Sequence, residues 1–444
     1  MADCRIIPPR RMRLVVPDKP ITKDIGDVLA IGFATSVAMW AIGYFSHLPG
    51  VVAPGWVVFA LLVLCMVGGG VAAGVLTARR GWEPGLVTAI VNLLVLGSLL
   101  GKESGDLRHY AALWLGGAIG ATLLCVMLGV LAGRLLRRRD APAANWPAAL
   151  AGVTAAATVL LLILGGNVTG FRAGMAVPDW PTTFKVNMFL YPLARMTGGI
   201  YFEHAHRLIG SLVGLTTLTL ALYVQWRETR GWVRALAWCV FAAVVVQGLV
   251  GGFRVTENNL LLATIHGVFA QVCLSAMVIV ALVLSNTWRE RRGAYTHTHA
   301  ARDRAWGTLA VLAILTQVIL GAIYRHFGEG LYVHVGFALV ALIACGGFAF
   351  RCWGIHESVP LLVWGGAVVL AILSLQILLG FAALGAVLSE QSHHQTKAIH
   401  VVVTTIHQTS GALLLSATAG LYLANLRLVR PAPRQVGELT AAAR

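Results

Sequence analysis

The sequence predicts an all-α polytopic membrane protein of about twelve transmembrane helices, the last eight forming two pseudo-symmetric four-helix bundles. Three observations predict it. The 444 residues are 58% hydrophobic and 12% charged, and the mean hydropathy is +0.77. Apolar runs of about 20 residues, each long enough for the ~30 Å hydrocarbon layer, recur along the chain. Between them the basic residues gather in short segments, such as Arg137-Arg138-Arg139 and the group Arg289, Arg291, Arg292, Arg302 and Arg304. A net charge of +16 spread in this way is an orientation signal and not a nucleic-acid surface. Composition therefore excludes the soluble classes, and the lipid bilayer is the chain's first partner.

Taken in order, residues 1–140 hold four spans, at about 27–45, 53–77, 84–100 and 109–133. The basic segment before the first has no small-residue cleavage site, so it reads as an uncleaved cytoplasmic tail. No chemistry is visible here, and the region reads as a four-helix extension. Asp140 to Pro147 has linker composition. Eight spans follow, at about 148–167, 205–225, 232–253, 262–286, 304–325, 331–352, 359–384 and 399–426. They divide into a first half, 141–288, and a second, 289–430, with a cytoplasmic tail at 431–444. The seven cysteines lie mostly inside apolar runs and form no CxxC, which predicts neither a disulfide framework nor a zinc site.

The eight spans repeat internally. Three odd-numbered ones close with a glutamine four residues before a glycine, at Gln247…Gly251, Gln317…Gly321 and Gln376…Gly380; the other closes with Gly165-Gly166. Each is followed by an even span that opens on a histidine: His206, His266, His334 or His407. Such a unit used four times marks a duplicated bundle. From each histidine to the basic residue at the far end of its span is 17 to 23 positions, about one bilayer thickness at ~1.5 Å per residue. Four imidazoles at equal depth, two per half, suit a planar haem gripped through its iron from both sides. Zinc wants three or four clustered ligands.

The stretch Glu203-His204-Ala205-His206-Arg207 opens the second of these spans. Ionisable groups at the mouth of a membrane helix read either as a snorkelling interfacial cluster or as a functional site. With the loop Gly174-Met175-Ala176-Val177-Pro178-Asp179-Trp180-Pro181 and the four histidines, residues 148–428 resemble the haem A synthase family (Cox15/CtaA), which carries a Glu-x-x-His-Arg motif and an Asp-Trp-Pro loop. Departures are Thr169 and Ser211, where many members carry arginine, and the lack of cysteine in 168–203.

The resemblance implies an oxidoreductase that converts the C8 methyl of haem O to a formyl group, giving haem A for cytochrome c oxidase. It implies substrate haem between His206 and His266, and a permanent haem b between His334 and His407. Glu203, one turn before His206, is the best-placed base for a water or a leaving proton. Arg207, Arg254 and Arg325 are candidate partners of haem propionates, with headgroup contact as the plain alternative. Asp179 and Trp180 are the candidate lid, with an interfacial Trp anchor as the alternative. His204, His326, His393 and His394 read as interfacial or loop residues, and His400 as a neighbour above His407. Implied partners are haem O synthase, cytochrome c oxidase assembly, an unidentified electron partner and a second copy of the chain. The implied place is the bacterial cytoplasmic membrane, with both termini cytoplasmic and the histidines external. A di-haem b cytochrome passing electrons between quinol and a partner keeps the histidines but has no use for Glu203 or the loop; a haem transporter or chaperone would bind haem exchangeably without turnover.

Overall fold

The structure, a computed structural model, describes residues 25–77, 81–100, 107–137, 144–290, 295–393 and 398–431. The basic N-terminal tail, Arg138 and Arg139 with the linker at 140–143, Arg291, Arg292, His394 and the tail from 432 lie outside the described residues.

Apolar runs become helices because a helix alone satisfies its own backbone in lipid. They are α1 (Gly26–Ser46), α2 (Gly55–Leu76), α3 (Glu83–Leu100), α4 (Leu107–Leu136), α5 (Trp146–Gly170), α6 (Gly198–Arg227), α7 (Gly231–Thr256), α8 (Leu260–Leu284), the short α9 (Asn286–Glu290), α10 (Ala300–Phe327), α11 (Leu331–Ile355), α12 (Pro360–His393) and α13 (Ala398–Leu428). The twelve long ones match the twelve runs. Eleven are long and apolar enough to cross a membrane, and α3 is a shorter apolar helix over Glu83–Val95.

The sequence misplaces one functionally important boundary. Helix α6 begins at Gly198, not near 205, so Glu203 to Arg207 lie inside its second and third turns. Hydropathy marks where a helix meets lipid, whereas its hydrogen bonds run on through polar residues. Side-chain caps set other starts. Asn145 accepts the Ala148 amide at 3.1 Å to open α5, and Asn259 accepts the Leu261 amide at 2.8 Å and the Leu262 amide at 3.1 Å to open α8. Gly328, at φ 76°, closes α10 in the left-handed conformation that favours glycine.

Helices α5, α6, α7 and α8 pack in a closed ring, each on the next and α8 back on α5; α10, α11, α12 and α13 do the same. The rings join through α8 against α13, flanked by α5 on α13 and α10 on α8, a two-fold arrangement. Ser275 and Ser416, each nine residues after its helix's histidine, share a hydrogen bond of 3.1 Å at that seam. The first four helices dock on this core through α1 against α5 and α6 and through α3 against the loop before α6. Asn167 of α5 donates to the Tyr44 hydroxyl at 2.9 Å, and the Tyr201 hydroxyl donates to the Tyr44 carbonyl at 2.6 Å. Within the extension, α2 and α4 cross backbone to backbone at Gly70, Gly74, Gly129 and Gly133, where a β-carbon would collide with the facing main chain.

At the helix ends opposite the histidines, Asp303 is fully buried against Arg351 at 2.7 Å and His356 at 3.0 Å. Tyr295–His297 pairs in parallel with Val429–Pro431, tying the start of the second half to its end.

Candidate functional site

Each of the four repeated histidines leans on a glycine of the preceding helix. A β-carbon on Gly251 would lie 2.7 Å from Cε1 of His266; the corresponding distances are 2.9 Å for Gly321 to His334, 3.1 Å for Gly165 to His206 and 3.3 Å for Gly380 to His407. These glycines leave room for the Cε1 edge of an imidazole against the helix. Four residues before each stands the carbonyl the ring faces: Leu161, Gln247, Gln317 and Gln376 for His206, His266, His334 and His407. For His266 the Nδ1 contact closes at 3.1 Å; in the other three Nδ1 is buried and does not close a full bond. The glutamine has its own task. Gln247 donates to the His266 carbonyl at 2.8 Å and Gln317 to the His334 carbonyl at 2.9 Å, so each holds its histidine's backbone. Gln376 is instead bonded by Ser410, which also donates to the His407 carbonyl at 3.0 Å.

The rings meet in two pairs. His206 and His266 have centroids 6.3 Å apart with planes at 77°, and His334 and His407 have centroids 6.4 Å apart with planes at 89°. A metal–imidazole bond of ~2.0 Å, plus ~1.1 Å to the ring centre on each side, places two trans ligands ~6.2 Å apart. A direct N–H···N bond of ~2.9 Å would draw the centres to about 5 Å. Among the described residues no three His, Cys, Asp or Glu gather closely enough to hold an ion alone. A group that brings its own four equatorial ligands and needs only two imidazoles, as a haem does, fits both pairs.

The two sites differ in their cover. Between α10 and α11 lie three residues, but between α5 and α6 lie residues 171–197, folded over the first pair. Asp179 is the buckle of this loop. Phe184 and Lys185, at φ 50° and 64°, form a turn of left-handed residues, and the Asp179 carboxylate accepts their amides at 2.8 and 2.7 Å and the Thr182 hydroxyl at 2.5 Å. Partial burial works against its charge, but these donors hold the carboxyl below the usual range. Trp180 lies on α7 at Gly252, where a β-carbon would come 2.5 Å from the indole. Gly251 and Gly252, adjacent but turned about 100° apart on the helix, thus seat the His266 ring and the loop's indole.

Glu203 and Arg207 bind the loop from below. Arg207 donates from Nη1 to the carbonyls of Asp179 at 2.6 Å and Thr182 at 2.9 Å, and from Nη2 to the Val177 carbonyl at 2.9 Å and to Glu203 Oε1 at 2.8 Å. The Val177 amide donates to Glu203 Oε2 at 2.9 Å, and Glu203 is 2% exposed. Both oxygens of Glu203 are therefore engaged, and the terminal nitrogens of Arg207 serve the loop. Arg254 donates to the Gly174 carbonyl at 2.9 Å, and Arg325 to the Gly166 carbonyl at 2.8 Å with its Nε buried and unpartnered.

Three histidines outside the repeat are placed differently from one another. His204 is fully buried under the 171–197 loop, bonded to Thr183 at 3.0 Å and packed on Tyr191, not at an interface. His400 is buried in α13. His326 stands beside the first pair, its Nε2 3.8 Å from where a β-carbon on Gly267 would be.

This geometry defines a polytopic helical membrane protein with two paired-imidazole sites, the first with a 27-residue loop folded over it. Residues 148–336 match the model of the COX15-CtaA family, described as cytochrome oxidase assembly protein. It is similar to proteins named heme A synthase from Rhodopseudomonas palustris. Against that of strain BisB5 it is 26% identical over 229 residues, covering 45% of this chain and 61% of the relative. Against strain TIE-1 the identity is 29% over 177 residues, 37% of this chain and 47% of the relative. Against strain ATCC BAA-98 / CGA009 it is 34% over 135 residues, 29% and 36%. The matched part thus spans about three fifths or less of these relatives' lengths. No solved structure matches the chain. The family match takes in Glu203, His206, His266 and His334 and ends before His407.

Proposed function

We propose that the chain is a haem A synthase. Haem O sits between His206 and His266 as substrate, under the lid, and haem b sits between His334 and His407. The observation that carries this reading is the pair of imidazole couples at 6.3 and 6.4 Å, each seated on glycines. Haem b, when bound, supplies one-electron chemistry beside the substrate site. Overall, a methyl group and one water become a formyl group, four protons and four electrons; the electrons leave, one at a time, to an electron partner outside the chain, and the site must accept protons and exclude bulk water. Residues 171–197 and Trp180 provide the exclusion.

Glu203 is the proton acceptor in this reading. Its Oε2 is held by the Val177 amide of the lid, so lid movement and availability of the carboxylate are coupled. Arg254 and Arg325 receive propionates, whereas Arg207 positions the lid. The histidine ends face the outside of a bacterial cytoplasmic membrane, with both termini inside. The chain divides into a four-helix extension at 1–140, a first half at 141–288 and a second half at 289–430, and it works between haem O synthase and cytochrome c oxidase assembly.

The test is extraction of haem from purified protein, with Glu203→Gln beside the wild type. Haem O or its oxidised derivatives together with haem b are expected from the wild type. Glu203→Gln should bind both and turn over about 10²–10⁴-fold more slowly. Haem b alone in the wild type would favour the electron-passing cytochrome, and full turnover by Glu203→Gln would remove its role.

A further inference from the structure

The last turn of α10 belongs to the second half, yet it touches α8, which carries His266, and α5, on which His206 rests. Arg325 donates to the carbonyl of Gly166, the neighbour of Gly165, on which His206 rests. His326, the next residue, brings its Nε2 to 3.8 Å from the β-position of Gly267, the neighbour of His266. It also lies within electrostatic reach of Arg254, whose guanidinium meets the lid at Gly174.

The two-fold relation makes this asymmetric. Gly321 and Gly165 occupy the same place under their histidines, so the counterparts of Arg325 and His326 are Thr169 and Gly170. A β-carbon on Gly170 would come 2.5 Å from Val401. The first half therefore sends no side chain back at that position. At that repeat position the second site has no counterpart of His326 among the described residues, and the first site has gained one.

We propose that His326 completes the first site from the other half of the molecule, donating its ring N–H to a carboxylate of the porphyrin held by His206 and His266, with Arg254 at the same acidic edge. It is a positioning residue: it sets which way the porphyrin edge points beneath the lid, and hence which methyl faces Glu203. This rests on the first pair being a haem site. It also implies that the two halves must be docked for the first site to be whole.

The experiment titrates full-length apo-protein with iron protoporphyrin and with its dimethyl ester, in wild type, His326→Leu and His326→Gln. The first-site step is identified by its disappearance in His266→Ala. Wild type should favour the free acid at that step, and His326→Leu should reduce the preference by roughly tenfold or more, as expected for a hydrogen bond to a charged group. His326→Gln, which keeps a donor, should retain part of the preference, and the second-site step should not change. Wild-type discrimination in His326→Leu overturns the proposal. If His266→Ala removes no haem, the failure lies in the site reading beneath it.

Discussion

Replacing the glycines under the four histidines by alanine yields a graded outcome. An unstrained carbon–carbon contact needs about 3.5 Å or more. The β-carbon distances of 2.7, 2.9, 3.1 and 3.3 Å at Gly251, Gly321, Gly165 and Gly380 therefore require the rings to retreat by about 0.8, 0.6, 0.4 and 0.2 Å. A ligand nitrogen tolerates about 0.2 Å of misplacement. Gly251→Ala should displace His266 furthest, at a cost typical of overpacking, about 1–3 kcal/mol, or roughly 5- to 150-fold in haem affinity. Gly321→Ala and Gly165→Ala should follow in that order, and Gly380→Ala should bind nearly as the wild type does. In haem-free protein the ring can swing aside, and alanine's helix propensity is worth about 1 kcal/mol over glycine. Thermal stability of the apo-protein should then stay level or rise while haem affinity falls. Haem titration by absorbance, with melting of the apo-protein, reads both. Equal losses at all four positions, or full affinity in Gly251→Ala, would refute the cradle argument.

Other outcomes follow from the lid and from the opposite helix ends. Arg207→Ala removes three lid bonds and strands buried Glu203, costing about 3 kcal/mol or more, and should open residues 171–197 to proteolysis. Arg207→Lys should not rescue it, because a single ammonium cannot reach the three loop carbonyls and Glu203 together. Glu228 lies just past α6 against Arg230 at 2.7 Å and Arg289 at 2.8 Å. Burial opposes its charge, but these partners bring its carboxyl from 4.5 down to about 2. Its folded pKa lies below the unfolded one, so its stabilisation is complete above pH 4.5 and is lost as pH falls toward 2. Melting of wild type and Glu228→Gln should differ at neutral pH and converge at the acid end of that window.

The spans, the repeat and the four histidines are legible in the sequence because each depends on local composition or spacing: apolar length, a glycine punctuation and one imidazole per unit. The lid is only half legible. Asp179-Trp180-Pro181 stands out as a motif, but that Asp179 caps a left-handed Phe184-Lys185 turn depends on backbone angles no periodicity reveals. Glu203 reads as a free base by spacing; its bond to the Val177 amide arises only when a 27-residue loop folds back. His326 is missed because it belongs to one half and serves the other. A signal was present, since Arg325-His326 occupies the repeat position where the first half has Thr169-Gly170.

The central claim is that each imidazole couple grips one iron porphyrin. Counting haem per chain in wild type, His266→Ala and His334→Ala, with low-temperature EPR of the ferric form, tests it most directly. Two haems are expected in the wild type and one in each variant, with low-spin bis-imidazole signals made strongly anisotropic by ring planes near 77° and 89°. A single haem in the wild type, or two haems surviving either substitution, would contradict it.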